Sequence, residues 1–328
     1  MTDNKNPPEK EILAEDFSGG LESEAERLPK KIARYSRARQ RAVDIISQVE
    51  SKHQETGSPF FRKVADGLNT CGNYLHFRHY YTVDKMRLHS AMFCKKHLFC
   101  PLCAIRRASK TLDSYLTRYF AITAENPLLR PYMITLTVKN GEDLMERFNH
   151  LVKSVQVLTR SRSRARSGSR NKTEFSKLEA AVGSYEFTNK GNGWHPHVHI
   201  VALCENEPDQ ELLSQEWKKA TKDSYIVDVR PIGTPENPVK GFVEVFKYAL
   251  KFSDLSPENH VFAATELNGK RLLFSIGLFR GTVIPESLTD DPIEGLPYYD
   301  LFYDYIHGSG YNYNAKKSNI NQPAPSSG

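Results

Sequence analysis

Between residues 132 and 252 the apolar positions switch repeatedly between two spacings. YMITLTV (132–138), AVGSYEFT (181–188), HPHVHIVAL (195–203) and YIVDVRPI (225–232) place β-branched and aromatic residues at period two, which predicts strands. GEDLMERFNHLVKSVQVLT (141–159), QELLSQEWKKAT (210–221) and GFVEVFKYALKF (241–252) repeat apolar residues at helical spacing. NKGNG, between the second and third strands, supplies the glycines of a hairpin turn. The resulting order is strand, helix, strand, strand, helix, strand, helix. It predicts an α+β fold with a mostly antiparallel central sheet and flanking helices, palm-like in layout.

Upstream, IRRASKTLDSYLTRYFAITA (105–124) is helical up to Pro127 and Pro131. A helix is also expected from Leu28 to about Val49, with Ile32, Val43, Ile46 and Val49 as its apolar stripe. Beyond residue 254 the periodicity weakens. DDPIEGLPYYDLFYDYI (290–306) is acidic and aromatic; within it Tyr298–Tyr305 is expected to pack onto the central domain, a surface for a partner such as a helicase being the alternative.

Charge adds a partner class. The chain of 328 residues has a net charge of +6, unevenly spread. Residues 1–28 read as a disordered acidic leader. PKKIARYSRARQR (29–41) and RSRSRARSGSRNK (160–172) each hold six bases and no acid. Segregated positive charge suits a polyanion, because phosphate contacts release counterions. Arg162, Arg164 and Arg166, with Arg106, Arg107 and Lys110 upstream, are the candidate DNA-binding residues. No apolar run approaches the ~20 residues of a membrane span, and the N-terminus lacks a signal-peptide core, so a cytoplasmic protein without membrane contact is expected. No GxxxxGK[ST] phosphate loop occurs, so strand separation is expected to come from elsewhere.

The strand at 195–203 carries candidate chemistry. His195, His197 and His199 recur at every second position and share one face, with Val198 and Ile200 on the other. Three neighbouring imidazoles repel if charged and need partners if buried; a divalent ion meets both needs. The hairpin places Glu186 near His197 or His199, giving imidazoles and a carboxylate with positions left for substrate. That set suits Mn²⁺ or Mg²⁺, whereas an all-histidine set leans towards Zn²⁺. His195 is either a further ligand or a donor behind the ligands. On the last helix Glu244 and Tyr248 stand one turn apart, with Lys251 on the same side; taken alone, such a pair is ordinary surface packing.

Four of the five cysteines, Cys71, Cys94, Cys100 and Cys103, fall within one stretch. CPLC is a good metal knuckle, and clustered cysteines in a cytoplasmic chain predict structural Zn²⁺, with His97 as the alternative to Cys71. Tyr74, Phe77, Tyr80 and Tyr81 read as that module's core rather than as base-stacking residues. Cys204 reads as a small buried hydrophobe.

MITLTVKN, then WHPHVHIVAL, then EVFKYALK, preceded by CGNYLHFRHYYT…MFCKKHLFCPLCAIRRASK, resemble in this order the rolling-circle plasmid replication initiators of the HUH endonuclease superfamily. The resemblance spans roughly 66–255. It implies a metal-dependent nicking and joining enzyme acting on plasmid origin DNA, single-stranded at the nick. Tyr248 would be the nucleophile, leaving a 5′-phosphotyrosine and a free 3′-OH primer. Glu244 would activate water in the terminating cleavage, and Lys251, or Lys247, would stabilise the phenolate or phosphate. The implied layout is leader (1–28), basic helical segment (29–65), zinc module (66–110), HUH catalytic domain (111–255), C-terminal helical accessory region (256–313) and disordered tail (314–328). Competing readings are a zinc-containing repressor without catalysis, a phosphodiesterase using water throughout, and a transposase, relaxase or phage initiator of the same chemistry.

Overall fold

The computed structural model describes residues 23–168, 172–232, 238–246 and 255–319. In chain order the helices are α1 (Glu24–Thr56), α2 (Pro59–Thr70), α3 (Pro101–Glu125), α4 (Leu144–Arg166), α5 (Gln210–Thr221), α6 (Val239–Phe246) and α7 (Pro257–Glu266). The strands are β1 (Tyr74–Tyr80), β2 (Lys85–Ala91), β3 (Arg130–Thr137), β4 (Ala180–Asn189), β5 (Trp194–Cys204), β6 (Val227–Pro231), β7 (Leu273–Gly277), β8 (Tyr299–Ile306) and β9 (Gly310–Tyr313). They fall into two compact units, the division lying within α3: one contains Ala108–Ile284, the other Ser18–Arg107 with Pro285–Gly328.

The first unit is built on a five-stranded sheet of order β6-β3-β5-β4-β7, antiparallel at every step. The fold is therefore the mixed α+β architecture of antiparallel sheet and flanking helices that the apolar spacing predicts. Both faces of the sheet are covered. Val198, Ile200 and Ala202 of β5, all fully buried, lie on the side of Tyr185 and Phe187. There α4 brings Phe148 within 6.0 Å of the Tyr185 ring and 5.7 Å of the Phe187 ring. On the other face Val201 and Leu203 of β5, Ala180 and Val182 of β4 and Met133 of β3 form one core. Leu112, Tyr115, Leu116 and Tyr119 of α3 and Phe242, Val245 and Phe246 of α6 complete it. The odd-numbered positions of β5 are thus apolar at one end and imidazole at the other.

The hairpin joining β4 to β5 needs its glycines. Gly191 and Gly193 have φ of +94° and +77°, and a Cβ at Gly193 would meet the Gly141 carbonyl oxygen at 2.8 Å. Trp194 closes the turn by donating its N–H to Gly141 O at 2.7 Å.

The second unit holds a four-stranded antiparallel sheet of order β2-β1-β8-β9. Ser23 and Glu26 cap α1 reciprocally, and Leu28, Ile32, Tyr35, Ala38, Ala42, Ile45, Ile46 and Val49 form its buried face. The span 256–313, expected as one helical accessory region, is shared out: α7 and β7 belong to the first unit, β8 and β9 to the second. Most of the stretch Tyr298–Tyr305 lies in β8, which is half-exposed along its length and pairs with β1 along six residues, from Tyr74 opposite Asp304 to His79 opposite Tyr299. Phe77 and Tyr80 are fully buried, whereas Tyr81 is exposed. Among the described residues no helix is long and apolar enough to cross a membrane. Most of the expected acidic leader and the end of the expected tail lie outside the described residues.

Candidate metal and nicking site

Register decides which side chains meet. In the β4–β5 pairing Glu186 stands opposite His197, Ser184 opposite His199 and Thr188 opposite His195. On the other side of β5, Thr135 of β3 stands opposite His199 and Thr137 opposite His197. Because pairing is antiparallel and side chains alternate, Glu186, His197 and His199 project from one face. Glu186 Oε2 lies 3.4 Å from His197 Nε2 and 3.4 Å from His199 Nε2. One ligand atom from each of the three residues can be chosen so that all lie within 4.8 Å of one another. The helix α6 covers this face and brings Glu244 Oε1 to 3.9 Å from His199 Nε2.

These residues fit a divalent cation. Bonds of about 2.1 Å to a tetrahedral ion separate ligand atoms by about 3.4 Å, the distance of Glu186 Oε2 from each of the two imidazole nitrogens. His197 Nδ1 is buried without a hydrogen-bond partner among the described residues, while its Nε2 faces the carboxylate. Burial lowers the pKa of His199, and neighbouring His197 acts in the same direction, against the pull of Glu186 and Glu244. The neutral imidazole thus favoured is the form that binds metal. His199 Nδ1 is tied to Thr135 Oγ1 at 3.0 Å.

His195 stands beside this group. Its Nδ1 meets Asn140 Oδ1 at 2.5 Å and its ring centroid is 5.5 Å from that of His197, but it is not in the three-residue set. Sequence reasoning missed Thr135 and Asn140, which hold the outer nitrogens of two histidines; the alternation of YMITLTV put Thr135 on a definite face but did not say which strand would lie beside it. Tyr248, Lys247 and Lys251 lie outside the described residues, Tyr248 two positions past the end of α6.

A second cluster occurs in the other unit. Cys71 ends α2, Cys94 follows β2, and Cys100 and Cys103 flank the start of α3. Cys71 Sγ is 3.5 Å from both Cys100 Sγ and Cys103 Sγ, and Cys94 Sγ is 3.6 Å from Cys103 Sγ. None is in a disulfide. Ligands about 2.3 Å from a tetrahedral ion sit about 3.8 Å apart, so the four sulfurs have nearly the spacing of a closed thiolate site. The close sulfurs divide in acidity: Cys100 and its neighbours hold the Cys94 thiol far below the usual range, while Cys103 and the others push Cys100 well above it. His97 is exposed and outside the cluster, so the set assembled is the one with Cys71. Cys204 is wholly buried in the sheet, and burial pushes its thiol up to about 12.

The basic candidates separate by burial. Arg106 is not on a DNA-facing surface: it is 2% exposed, donating to Asp290 Oδ1 at 2.6 Å, Leu288 O at 2.7 Å and Tyr35 OH at 3.2 Å. Arg162 is likewise buried, its guanidinium donating to Leu178 O at 2.8 and 2.6 Å. A charge desolvated in this way needs those partners and is not free for phosphate. Arg166 is exposed but engaged by Glu179 at 2.6 and 2.8 Å. Arg164 is exposed, while Arg107 and Lys110 are half-buried.

Comparison with known proteins agrees with the order of motifs. The sequence profile of the replication protein family matches residues 85–296. A "Protein rep" from Bacillus sp is 28% identical over 257 residues, covering 69% of this chain and 77% of that protein. Another, from Streptococcus pneumoniae serotype 2, is 31% identical over 234 residues, covering 65% and 69%. A third, from Bacillus amyloliquefaciens, is 26% identical over 214 residues, covering 60% and 58%. No solved structure matches the chain. With the profile spanning well over half its length and the histidine strand in place, this chain belongs to the replication protein family, the rolling-circle plasmid initiators whose motifs its sequence resembles.

Proposed function

We propose that the protein starts plasmid replication by nicking one strand of origin DNA through Tyr248, and that Glu186, His197 and His199 hold the divalent cation the reaction needs. The observation that carries this reading is the convergence of those three side chains, with Glu244 reaching the same place from α6. Bound there, Mn²⁺ or Mg²⁺ would act as a Lewis acid on the scissile phosphate.

The chain's own groups supply the rest. The phenolic oxygen of Tyr248 attacks phosphorus, and the bond from phosphorus to the 3′ oxygen breaks. The phenol's proton is taken up by a base, and the leaving 3′ oxygen becomes a hydroxyl that primes synthesis. A phenol of pKa ~10 is about 0.1% ionised at neutral pH, which is why a cation such as Lys251 or Lys247 is assigned to the phenolate. The phosphotyrosine keeps the diester's energy, so attack by a 3′-hydroxyl rejoins the strand. In the terminating cleavage Glu244 takes a proton from water, releasing the DNA end without a second tyrosine link. The four cysteines hold a structural Zn²⁺, and the exposed Arg164 with the half-buried Arg107 and Lys110 are assigned to the DNA backbone.

The test is an SDS-resistant adduct between the protein and labelled single-stranded origin DNA in Mn²⁺ or Mg²⁺. The parent forms it, Tyr248→Phe does not, and His197→Ala loses it together with metal binding. Glu244→Ala nicks but releases its final product poorly. An adduct at full strength in Tyr248→Phe moves the nucleophile elsewhere, first to the exposed Tyr225.

A further inference from the structure

The two imidazoles facing Glu186 are held differently. His199 has its outer nitrogen, Nδ1, 3.0 Å from the hydroxyl of Thr135, its register partner on β3. His197 has Thr137 as its register partner, yet its Nδ1 is buried with no partner among the described residues. Both rings present Nε2 to the same carboxylate oxygen at the same 3.4 Å. A neutral imidazole that gives its Nε2 lone pair to a cation must carry its proton on Nδ1, and that proton needs an acceptor when buried. Among the described residues only His199 has one in place.

We propose that Thr135 is a positioning residue for the divalent-metal site: its hydroxyl oxygen accepts the Nδ1 proton of His199, fixing the tautomer and the ring plane with Nε2 aimed at the cation. The inference rests on the metal-site reading of Glu186, His197 and His199. Threonine suits the task because its β-branch restricts χ1, so the oxygen is presented from a stiff side chain on an interior strand. Thr135 is half-buried, so the contact is partly shielded from water that would otherwise compete as acceptor. His197 is then the ligand whose ring is set by packing, its centroid 4.7 Å from that of His199 at 84°.

Mn²⁺ binding to the full chain, followed by the EPR signal of free Mn²⁺, tests this without reference to nicking. Thr135→Val keeps the β-branch and volume and removes the acceptor; it should weaken Mn²⁺ by about tenfold or more, as lost outer contacts to ligands do. Thr135→Ser restores the hydroxyl and should bind within about twofold of the parent, well inside that loss. Thr137→Val, the same change beside the other histidine, should leave affinity unchanged. Tryptophan fluorescence checks folding of the same unit, which contains both Trp194 and Trp217. Parent-like affinity in Thr135→Val, an equal loss in Thr137→Val, or loss in Thr135→Ser overturns the role of Thr135, and the serine variant decides the matter should the valine variant not fold. If the parent itself binds no Mn²⁺ at the imidazoles, with His199→Ala unchanged, the metal-site reading fails first.

Discussion

Removing the charge of Asp290 separates two accounts of Arg106. In the structure the Arg106 side chain is 3% exposed and that of Asp290 16%, with Nη2 and Oδ1 2.6 Å apart. Burial opposes the guanidinium's charge, but Tyr35 and Asp290 more than offset it, so Arg106 stays a cation. The other oxygen of Asp290 accepts the Leu88 N–H of β2 at 2.8 Å. Asp290→Asn keeps an amide oxygen for Leu88 and leaves a buried cation without its counter-charge, a loss of about 3–5 kcal/mol. Asp290→Ala also strands the Leu88 N–H, adding about 1–3 kcal/mol before any coupling between the two losses. Against total stabilities of about 5–15 kcal/mol, the alanine variant stands near the unfolding threshold.

The double variant Arg106→Met with Asp290→Asn removes both charges and should recover most of the loss. Urea unfolding by circular dichroism gives the differences, and exchange of the Leu88 amide locates them in β2. Were Arg106 instead a phosphate contact, Asp290→Asn would cost less than about 1 kcal/mol. The double variant would then lower the salt dependence of DNA binding by about one unit of slope. That pair of results refutes the burial argument.

Three further outcomes are expected. Glu186→Gln should reduce Mn²⁺ affinity by more than about tenfold, since outer contacts alone command that much, and chelation of the parent should abolish nicking until Mn²⁺ or Mg²⁺ is restored; nicking that persists in chelator would refute it. Cys100→Ser should lower bound zinc from about one ion per chain to near none and loosen amide protection in β1 and β2, measured by elemental analysis and hydrogen exchange. Glu216→Gln should stabilise the protein at pH 7 and lose the advantage in acid. Burial raises the Glu216 pKa above its ordinary 4.5, outweighing the backbone N–H groups of Glu174 and Phe175 that bond its carboxylate, so the folded state binds that proton more tightly than the unfolded chain. Its carboxylate penalty is therefore present above the folded pKa and gone below the unfolded value. Urea midpoints that differ equally at both pH values would contradict the sign.

Alternation and turn chemistry made the central sheet legible: YMITLTV, AVGSYEFT, HPHVHIVAL and YIVDVRPI became four of its five strands, and NKGNG fixed the pairing of Glu186 with His197. What escaped was non-local. β7 is short and half-buried, so it lacks an alternating signature. β8 is half-buried at nearly every position and pairs with β1 from more than two hundred residues away, a partnership no local pattern encodes. Buried arginines also mislead. Arg106 and Arg162 sit among exposed bases in sequence, and only their acceptors, Leu288 and Asp290 for one and Leu178 for the other, set them apart.

The pattern along β5 explains why the histidines meet the carboxylate. On β5, positions 195, 197 and 199 share a face with Val201 and Leu203, which lie in the core with α3 and α6. Sliding β5 by one residue against its neighbours would expel those two side chains, bring Val198 and Ile200 to the wrong face, and turn every imidazole over. The apolar half of the strand therefore fixes the register of the polar half. A carboxylate on β4 and another on α6 reach the imidazoles because their own elements are seated on that core: Val182 stands four residues before Glu186, and Val245 and Phe246 follow Glu244 directly. Placement of the site is thus a consequence of burial a few residues away. A cavity made there, as by Val201→Ala, should loosen the grouping of Glu186, His197 and His199 and weaken the Mn²⁺ binding proposed for it, read from the EPR signal of free Mn²⁺; affinity equal to the parent's would refute the link.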